Sequence, residues 1–208
     1  CALPIFDVIA PGVAKHEEEI VLAPGAEPAA DPNLVLRVAV AAAEFGLPIA
    51  PGTLRNLKKC PIGDRNWTDE SRELFIRLLA SGPALLNVWE DIDFIDVPGK
   101  LIPEWLGVRN RPSASAAHRY TIDRHMVEVV TRLGRETPSG GRYDDRHYEA
   151  LLLAGILHDI GKRPGVANHA AEGARHATVV VERMGFDRDI VRWVTLLVRS
   201  EEHTSELQ

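Results

Sequence analysis

The chain has few cysteines, no surplus of basic residues and no long apolar run, and each shortage excludes a class of protein. Its two cysteines, Cys1 and Cys60, lie far apart without a CxxC pair, which argues against a disulfide scaffold and favours a reducing compartment. The 24 basic and 30 acidic side chains give a formal charge of -6, so a nucleic-acid partner is not expected. No apolar run approaches the roughly 20 residues that span a bilayer, and no basic-then-apolar leader opens the chain. We therefore expect a cytoplasmic protein without membrane association; the oligomeric state is left open.

Both ends of the chain look cut. The chain starts at Cys1 rather than Met, and an amphipathic helical pattern runs directly into RSEEHTSELQ, residues 199–208. That decapeptide is the translation, in this frame, of a common sequencing-library adapter. We therefore expect coding sequence to be missing upstream and residues 199–208 to be non-native, with a natural polar tail as the alternative. His203 is then not a candidate ligand.

Helical periodicity dominates the chain after a short β-forming beginning. Residues 1–31 contain one alternating stretch, EEEIVLA, which predicts a strand or hairpin fragment followed by a loop. Residues 32–112 are predicted to form a helical linking region, whose first helix starts at the N-cap pair Asp31-Pro32 and ends at Gly46. Further along, Thr68 is the expected N-cap of another helix.

Residues 113–198 carry four helical patterns in close succession, after an irregular connector rich in Pro and Ser. The four helices are expected at 121–135, 146–161, 168–184 and 187–198. The predicted fold class is all-α, a helical bundle preceded by a small helical linking region, with a short β piece at the N-terminus.

An apolar segment that ends in charged residues carries the clearest functional signal. In LLLAGILHDIGK, residues 151–162, His158, Asp159 and Lys162 lie in the predicted last turn of a central helix. Because a buried unpaired carboxylate is costly, a compensating partner is expected, and a metal ion is the first candidate. His125 lies at the centre of the apolar face of the preceding helix and would supply a third ligand. Taken alone, His125 is better explained as a hydrogen-bonded core histidine.

The residue types around this segment indicate hydrolytic chemistry. Two imidazoles and one carboxylate suit a divalent transition ion better than Mg²⁺, and they leave positions open for water and substrate oxygen. Lys162 is either a cation that binds a phosphate or a lysine that complements the helix dipole. His169 opens the next helix, where backbone N–H groups favour an anion, so it is a candidate second metal ligand or phosphate contact. His147 and His176 are expected to be packing or surface histidines.

The complete arrangement resembles the HD superfamily of metal-dependent phosphohydrolases: an inward histidine, HDIGK closing the next helix, and a histidine opening the third. Upstream, LIPEWLGVRNRPSASAAHRYTIDRHMVEVV is similar to the segment that precedes the HD core in the bifunctional uridylyltransferase/uridylyl-removing family, which acts on the nitrogen-regulatory protein PII. DPNLVLRVAVAAAEFGLPIAPGTL and SGPALLNVWEDID resemble the helical linking region of that family, so the resemblance covers residues 8–198. The matching features upstream of the core are Pro103-Glu104-Trp105, Arg109, Arg111-Pro112, His118 to Thr121, Asp123 and His125.

The resemblance implies a fragment of such an enzyme. In the family, a transferase domain adds UMP to a PII tyrosine, an HD domain hydrolyses the uridylyl-tyrosine phosphodiester, and ACT domains sense glutamine. For this chain the resemblance implies PII as the partner and a divalent metal ion as the cofactor, Mn²⁺ or Mg²⁺ before other transition metals. It implies His125, His158 and Asp159 as metal ligands, and Lys162 and His169 as catalytic residues that steady the phosphate.

Three departures from the family pattern limit what can be carried over. The transferase signature, Gly-Ser followed by paired acids, is absent, and we interpret Asp91 and Asp93 as surface or capping residues. Asn168 and Ala170 stand where the family has an acidic and a hydroxyl residue around His169. The later family ligands should follow VTLLVR, where the adapter-like tail begins, so we expect an incomplete metal shell. The alternatives are another HD phosphohydrolase that acts on a nucleotide, and a helical regulatory module with a vestigial site.

Overall fold

The computed structural model describes residues 6–63, 67–112, 120–134 and 145–200, and it opens with a small antiparallel sheet. Val13 pairs with Leu22 and His16 with Glu19, so the second and third strands form a regular hairpin. The sequence predicted one strand or a hairpin fragment here, and the structure adds a strand. The strands, in spatial order, are β1 (Asp7–Ala10), β2 (Val13–His16) and β3 (Glu19–Leu22).

The remainder of the described chain is mostly helical, which confirms the predicted fold class. In this described part, no helix is long and apolar enough to cross a membrane. The helices are α1 (Leu34–Phe45), α2 (Pro51–Leu57), α3 (Asp69–Leu79), α4 (Ala84–Phe94), α5 (Val97–Leu101), a 3₁₀ helix (Pro103–Gly107), α6 (Ile122–Leu133), α7 (Asp145–Leu157), α8 (His169–Arg183) and α9 (Arg188–Ser200).

The start of α1 differs from the prediction. Asn33, not Asp31, is the N-cap, and α1 begins at Leu34. Asp31 Oδ1 instead accepts a hydrogen bond from the Asn33 backbone N at 3.0 Å, and the Asp31 carboxylate pairs with Arg37 at 2.6 Å. Because the Asp31 carboxylate binds Arg37, the N-cap is two residues later than predicted. Gly46 ends α1 in the left-handed conformation at φ 64°, as predicted.

The predicted start of α3 is confirmed by a capping box. The Thr68 side chain accepts from the Ser71 backbone N at 3.1 Å, and the Ser71 side chain accepts from the Thr68 backbone N at 3.1 Å. The side chain of Asn33 joins this box, since Ser71 Oγ donates to Asn33 Oδ1 at 2.6 Å. The starts of α1 and α3 are thus fixed against each other.

The part of the connector before α6 that the structure describes, up to residue 112, contains regular structure where its composition predicted an irregular segment. The helix α4 ends at Phe94, and Asp96 takes a left-handed conformation at φ 63° before α5. Pro98 then lies in the first turn of α5, where its missing N–H costs nothing. Trp105, in the 3₁₀ helix, is only 1% exposed and anchors this segment in the core.

The helix α7 is central, as its apolar pattern predicted, but it ends earlier than expected. Leu152, Leu153 and Leu157 are fully buried, and α7 contacts α6, α8 and α9. The helix ends at Leu157 rather than at residue 161, so the HDIG residues form a turn instead of a last helical turn. At Gly161 this turn packs against the backbone of α8, where a Cβ would overlap atoms of His169 and Gly173. This close crossing stops the helix.

Candidate metal centre

Three side chains that the sequence singled out converge where α6 meets the turn after α7. His125 lies on α6, and His158 and Asp159 open the turn. One nitrogen or oxygen atom from each lies within 4.8 Å of the other two, so the group could hold a metal ion. The imidazole centroids of His125 and His158 are 5.2 Å apart, and His158 Nε2 lies 3.5 Å from Asp159 Oδ2.

A glycine allows α6 and α7 to approach closely enough to form this group. A Cβ on Gly155 would lie 2.7 Å from Leu133 Cδ1 and 3.1 Å from Val130 Cγ2, both on α6. Gly155 is therefore a point of close approach between the two helices, about one turn before His158. The sequence analysis did not single out Gly155, because its role depends on which helix packs against α7.

The orientation of His158 is fixed by a hydrogen bond to the last turn of α7. His158 Nδ1 lies 2.7 Å from the Gly155 carbonyl oxygen. Since a carbonyl oxygen only accepts, Nδ1 carries the hydrogen and Nε2 keeps its lone pair. Nε2 is the atom on the side of Asp159. A histidine held through one ring nitrogen by a carbonyl, with the other nitrogen available, is typical of metal ligands.

Asp159, the carboxylate for which the sequence predicted a compensating partner, is buried and paired with Lys162. Asp159 is 6% exposed and His158 is 9% exposed. Lys162 Nζ donates to Asp159 Oδ2 at 2.9 Å, and the Lys162 side chain is 37% exposed. Because α7 has already ended, Lys162 interacts with this carboxylate rather than with the end of a helix. The sequence analysis interpreted Lys162 as a phosphate-binding cation or as a lysine that complements the helix dipole. Neither interpretation included a salt bridge to Asp159.

His169 lies at the edge of the site. It is the exposed first residue of α8, and its backbone packs on Gly161 in the turn that carries Asp159. Asn168 N-caps this helix, with its Oδ1 accepting from the Ala171 backbone N at 2.7 Å. Among the described residues, the group that could hold a metal does not include the His169 imidazole.

His176 packs in the interior and His147 lies at the surface, in agreement with the sequence interpretation of these two histidines. His176 is 8% exposed, and its Nε2 lies 2.9 Å from a Glu172 carboxylate oxygen. Burial, together with the charges of Arg163 and Arg175, lowers the pKa of His176. His147 is exposed and stacks on the Trp193 ring at a centroid distance of 4.1 Å.

A partly buried ion pair next to the site was missed by the sequence analysis. Arg183 on α8 forms a bidentate salt bridge with Glu104 of the 3₁₀ helix, in which the two terminal guanidinium nitrogens donate to the two carboxylate oxygens at 2.9 and 2.6 Å. Arg163, directly after Lys162, donates to the Glu104 carbonyl oxygen at 2.7 Å. Burial is the largest single influence and raises the pKa of Glu104, but the hydrogen bonds and charge of Arg183, a backbone hydrogen bond and the charge of His176 together hold that pKa below its ordinary value. This contact ties the connector before α6 to the turn and to α8.

The acidic pair interpreted as surface or capping residues is partly buried. Burial raises the pKa of Asp91 and of Asp93. The Asp93 side chain is 25% exposed and lies 3.1 Å from the Arg109 guanidinium. Asp93 does not cap α4, whose C-cap is Ile95. Asp93 is therefore an ion-pair residue between α4 and the connector.

Comparison with known proteins gives several relatives that share one description. No family model matches the chain. The chain is 38% identical over 189 residues to the bifunctional uridylyltransferase/uridylyl-removing enzyme of Mycobacterium tuberculosis, and 39% identical over 194 residues to that of Streptomyces coelicolor. The enzyme of the same name from Corynebacterium glutamicum is 34% identical over 179 residues. These alignments cover 90%, 92% and 84% of this chain but 23%, 22% and 24% of the relatives. The chain thus spans less than a quarter of their length.

Proposed function

Because the chain is homologous to one segment of the bifunctional uridylyltransferase/uridylyl-removing enzymes, we propose that it carries part of a uridylyl-removing centre. The proposed reaction is hydrolysis of the uridylyl-tyrosine phosphodiester on the PII protein, with release of UMP. The convergence of His125, His158 and Asp159 supports the removing activity rather than the transferase activity. A nucleotidyl-transfer site needs the Gly-Ser and paired acids that this chain lacks.

The donor atoms fit a divalent ion. His125 and His158 would contribute imidazole nitrogens and Asp159 a carboxylate oxygen, a set suited to Mn²⁺ and other transition ions and usable by Mg²⁺. Such an ion, when bound, supplies Lewis acidity and makes water a better nucleophile at neutral pH. The Gly155 carbonyl holds the His158 ring so that Nε2 faces Asp159.

The proposed role of Lys162 and His169 is to bind the phosphate. The ammonium of Lys162 lies beside the metal-ligating carboxylate and is partly exposed, so it is placed to pair with a phosphate oxygen next to the ion. His169 lies at the capped start of α8, where unpaired backbone N–H groups and the helix dipole favour an anion. We propose that both residues offset charge on phosphorus oxygens during hydrolysis.

The proposal is tested with the full-length parent enzyme and uridylylated PII as the substrate. UMP release should fall by at least about a hundredfold for His158→Ala, the loss typical of removing a group that stabilises the transition state electrostatically. His147→Asn changes an exposed histidine outside the group and should retain wild-type release. Absence of UMP release by the wild-type parent would contradict the proposal. If the same parent hydrolysed free nucleotides, the centre would be a different HD phosphohydrolase. If His158→Ala kept full activity, the centre would be vestigial.

A further inference from the structure

A cavity lies on the side of α6 opposite the candidate metal centre, among α4, the 3₁₀ helix and the start of α6. Its volume is about 480 Å³, within the roughly 300–1,000 Å³ range of small-molecule sites. Trp89 and Trp105 line it with indole rings whose centroids are 5.3 Å apart. Asp93 and Asp123 line it with carboxylates. Flat apolar walls and two acids are thus present together.

This cavity is distinct from the metal centre. Asp123 and His125 are two residues apart on α6, so their side chains project about 200° apart around the helix. The helix packs on α4 on one side and on α7 on the other. None of the three proposed metal ligands lines the cavity.

Three residues that line the cavity each have a buried polar atom without a hydrogen-bond partner among the described residues: Asp93 Oδ1, Asp123 Oδ1 and Trp105 Nε1. Asp123 is 8% exposed, and its Oδ2 accepts from the Asn110 backbone N at 2.8 Å. Trp105 is 1% exposed. An unsatisfied buried polar group costs about 1–3 kcal/mol, so a hydrogen-bonding partner at these residues would be stabilising.

The arginines that line the cavity are paired with acids other than Asp123, and two of these acids, Asp93 and Glu90, line the cavity as well. Arg109 pairs with Asp93 at 3.1 Å and with Asp96 at 2.8 Å. Arg124 pairs with Glu90 and, at 3.3 Å, with Glu128.

Asp123 itself has no salt bridge within the part of the chain that the structure describes. The charge of Asp123 also adds to burial in raising the pKa of Asp93, so the two acids repel each other. Among the described acids that line the cavity, Asp123 is therefore the one without an ion-pair partner.

We propose that this cavity binds a small organic cation: an amidinium or protonated amine on a flat apolar body. The N–H groups of the ligand pair with the carboxylates of Asp123 and Asp93, and its body packs on the indoles of Trp89 and Trp105. An inorganic cation fits less well, because hard ions take six or more oxygen ligands and much of this lining is aromatic.

The test uses the 208-residue chain with benzamidine as a cationic probe and benzamide as its neutral counterpart. The indole N–H signals of the tryptophans are followed by ¹⁵N-correlated NMR and assigned with single Trp→Phe variants. Benzamidine should shift the Trp89 and Trp105 signals in a saturable manner and leave Trp193, on α9, unchanged. Benzamide at the same concentrations should shift neither. This comparison needs no variant at the acidic residues.

Substitution provides the second arm. Asp123→Asn should weaken benzamidine binding by about tenfold or more, as expected for a buried charged hydrogen bond. Asp91→Asn, on α4 but outside the cavity lining, is the matched control and should leave the affinity unchanged. Three results would overturn the proposal: no shift of the Trp105 signal at millimolar benzamidine, equal binding of benzamide, or unchanged affinity in a folded Asp123→Asn variant. Displacement of benzamidine by Mg²⁺ alone would also overturn it, because the site would then be one for an inorganic cation.

Discussion

At the scale of single residues, Asp159 is a buried carboxylate whose negative charge requires a partner. It is 6% exposed, and one of its oxygens already accepts a hydrogen bond from Lys162. A divalent ion held by His125, His158 and Asp159 would compete with the Lys162 ammonium for that carboxylate. Loading of the centre would then free Lys162 for a phosphate oxygen. Under this proposal, Lys162 pairs with Asp159 before an ion binds and with a phosphate oxygen afterwards.

This coupling gives a prediction for metal binding by the chain. Asp159→Asn should weaken Mn²⁺ binding by at least about 10–100-fold, since even outer partners of metal ligands contribute that much. Asp189→Asn, which changes an acid with a 61% exposed side chain on α9, is the control and should bind as the wild type does. Isothermal titration calorimetry of the chain measures both affinities, and circular dichroism checks that each variant is folded. Equal Mn²⁺ affinities of wild type and Asp159→Asn would rule out Asp159 as a ligand.

Gly161 gives a prediction about the turn that carries the site. Gly161→Ala should lower the free energy of unfolding by about 1–3 kcal/mol, because its Cβ would overlap the backbone of α8 and little room for relaxation exists. Gly52→Ala is the matched control, since a Cβ there meets only the Arg55 side chain at 3.7 Å. Alanine at this half-buried helical position, where a Cβ has room, should be neutral or slightly stabilising. Urea denaturation compares the two, and equal midpoints would show that the turn moves away from α8 at little cost.

At the scale of the elements, helical periodicity was sufficient to predict most helices but not their ends. The capping box of α3 is local, so Thr68 could be identified from the sequence. The end of α7 depends on α8 crossing at Gly161, and the start of α1 depends on Arg37 binding Asp31, so neither could be read from local pattern. The four-residue strand β1 carries a largely exposed Val8 and shows no alternation that would reveal a strand.

The candidate site divides in the same way. His158 and Asp159 stood out because charged residues in an apolar segment require compensation, whatever the fold. The close approach at Gly155 did not stand out, and Asp123 was noted only as a match to the family pattern and not as a cavity residue, because both roles depend on which helices are neighbours. Sequence reasoning thus found the residues whose chemistry is unusual and missed those whose position is unusual.

The contact between the 3₁₀ helix and α8 should make stability depend on pH. The pKa of Glu104 is lowered in the folded state, so its pairing with Arg183 stabilises the fold above the ordinary value of 4.5. That contribution is lost as the pH falls through the lower folded pKa. Glu104→Gln should therefore lower the free energy of unfolding by about 1.5–3 kcal/mol near pH 7, the range for hydrogen bonds to charged groups.

The difference between wild type and Glu104→Gln should shrink as the medium is acidified below pH 4.5, and urea denaturation at several pH values measures it. Glu73→Gln is the control, because Glu73 is 72% exposed and lies 3.9 Å from Arg77. An exposed pair of this kind contributes at most about 1 kcal/mol. A Glu104→Gln difference that stayed constant with pH would contradict the assignment of the stabilisation to the ionised carboxylate.

At the scale of the whole molecule, the predicted linking region and the predicted HD part share packing surfaces. A Cβ on Gly134, after α6, would lie 2.7 Å from the Gly82 backbone N, after α3. Arg72 of α3 donates to the Met184 carbonyl oxygen, after α8, at 3.1 Å. One cluster of buried apolar side chains runs from Val13 to Val198. The division at residue 112 remains a prediction, but contacts of this kind favour one cooperative unit over two independent ones.

We therefore expect the chain to unfold in a single transition in urea. Incorporation of 5-fluorotryptophan places ¹⁹F probes at Trp67, Trp89 and Trp105 on one side of residue 112 and at Trp193 on the other. All four signals should change with the same midpoint, and far-UV circular dichroism should give that midpoint too, because loss of either part exposes the surface that the other buries. Trp193 lies on α9 and packs against the core, so it reports on the unfolding of that helix. A Trp193 midpoint clearly below those of Trp67 and Trp89 would mean that α7 to α9 unfold independently. The contacts of Gly134 and Arg72 would then be too weak to couple the two regions.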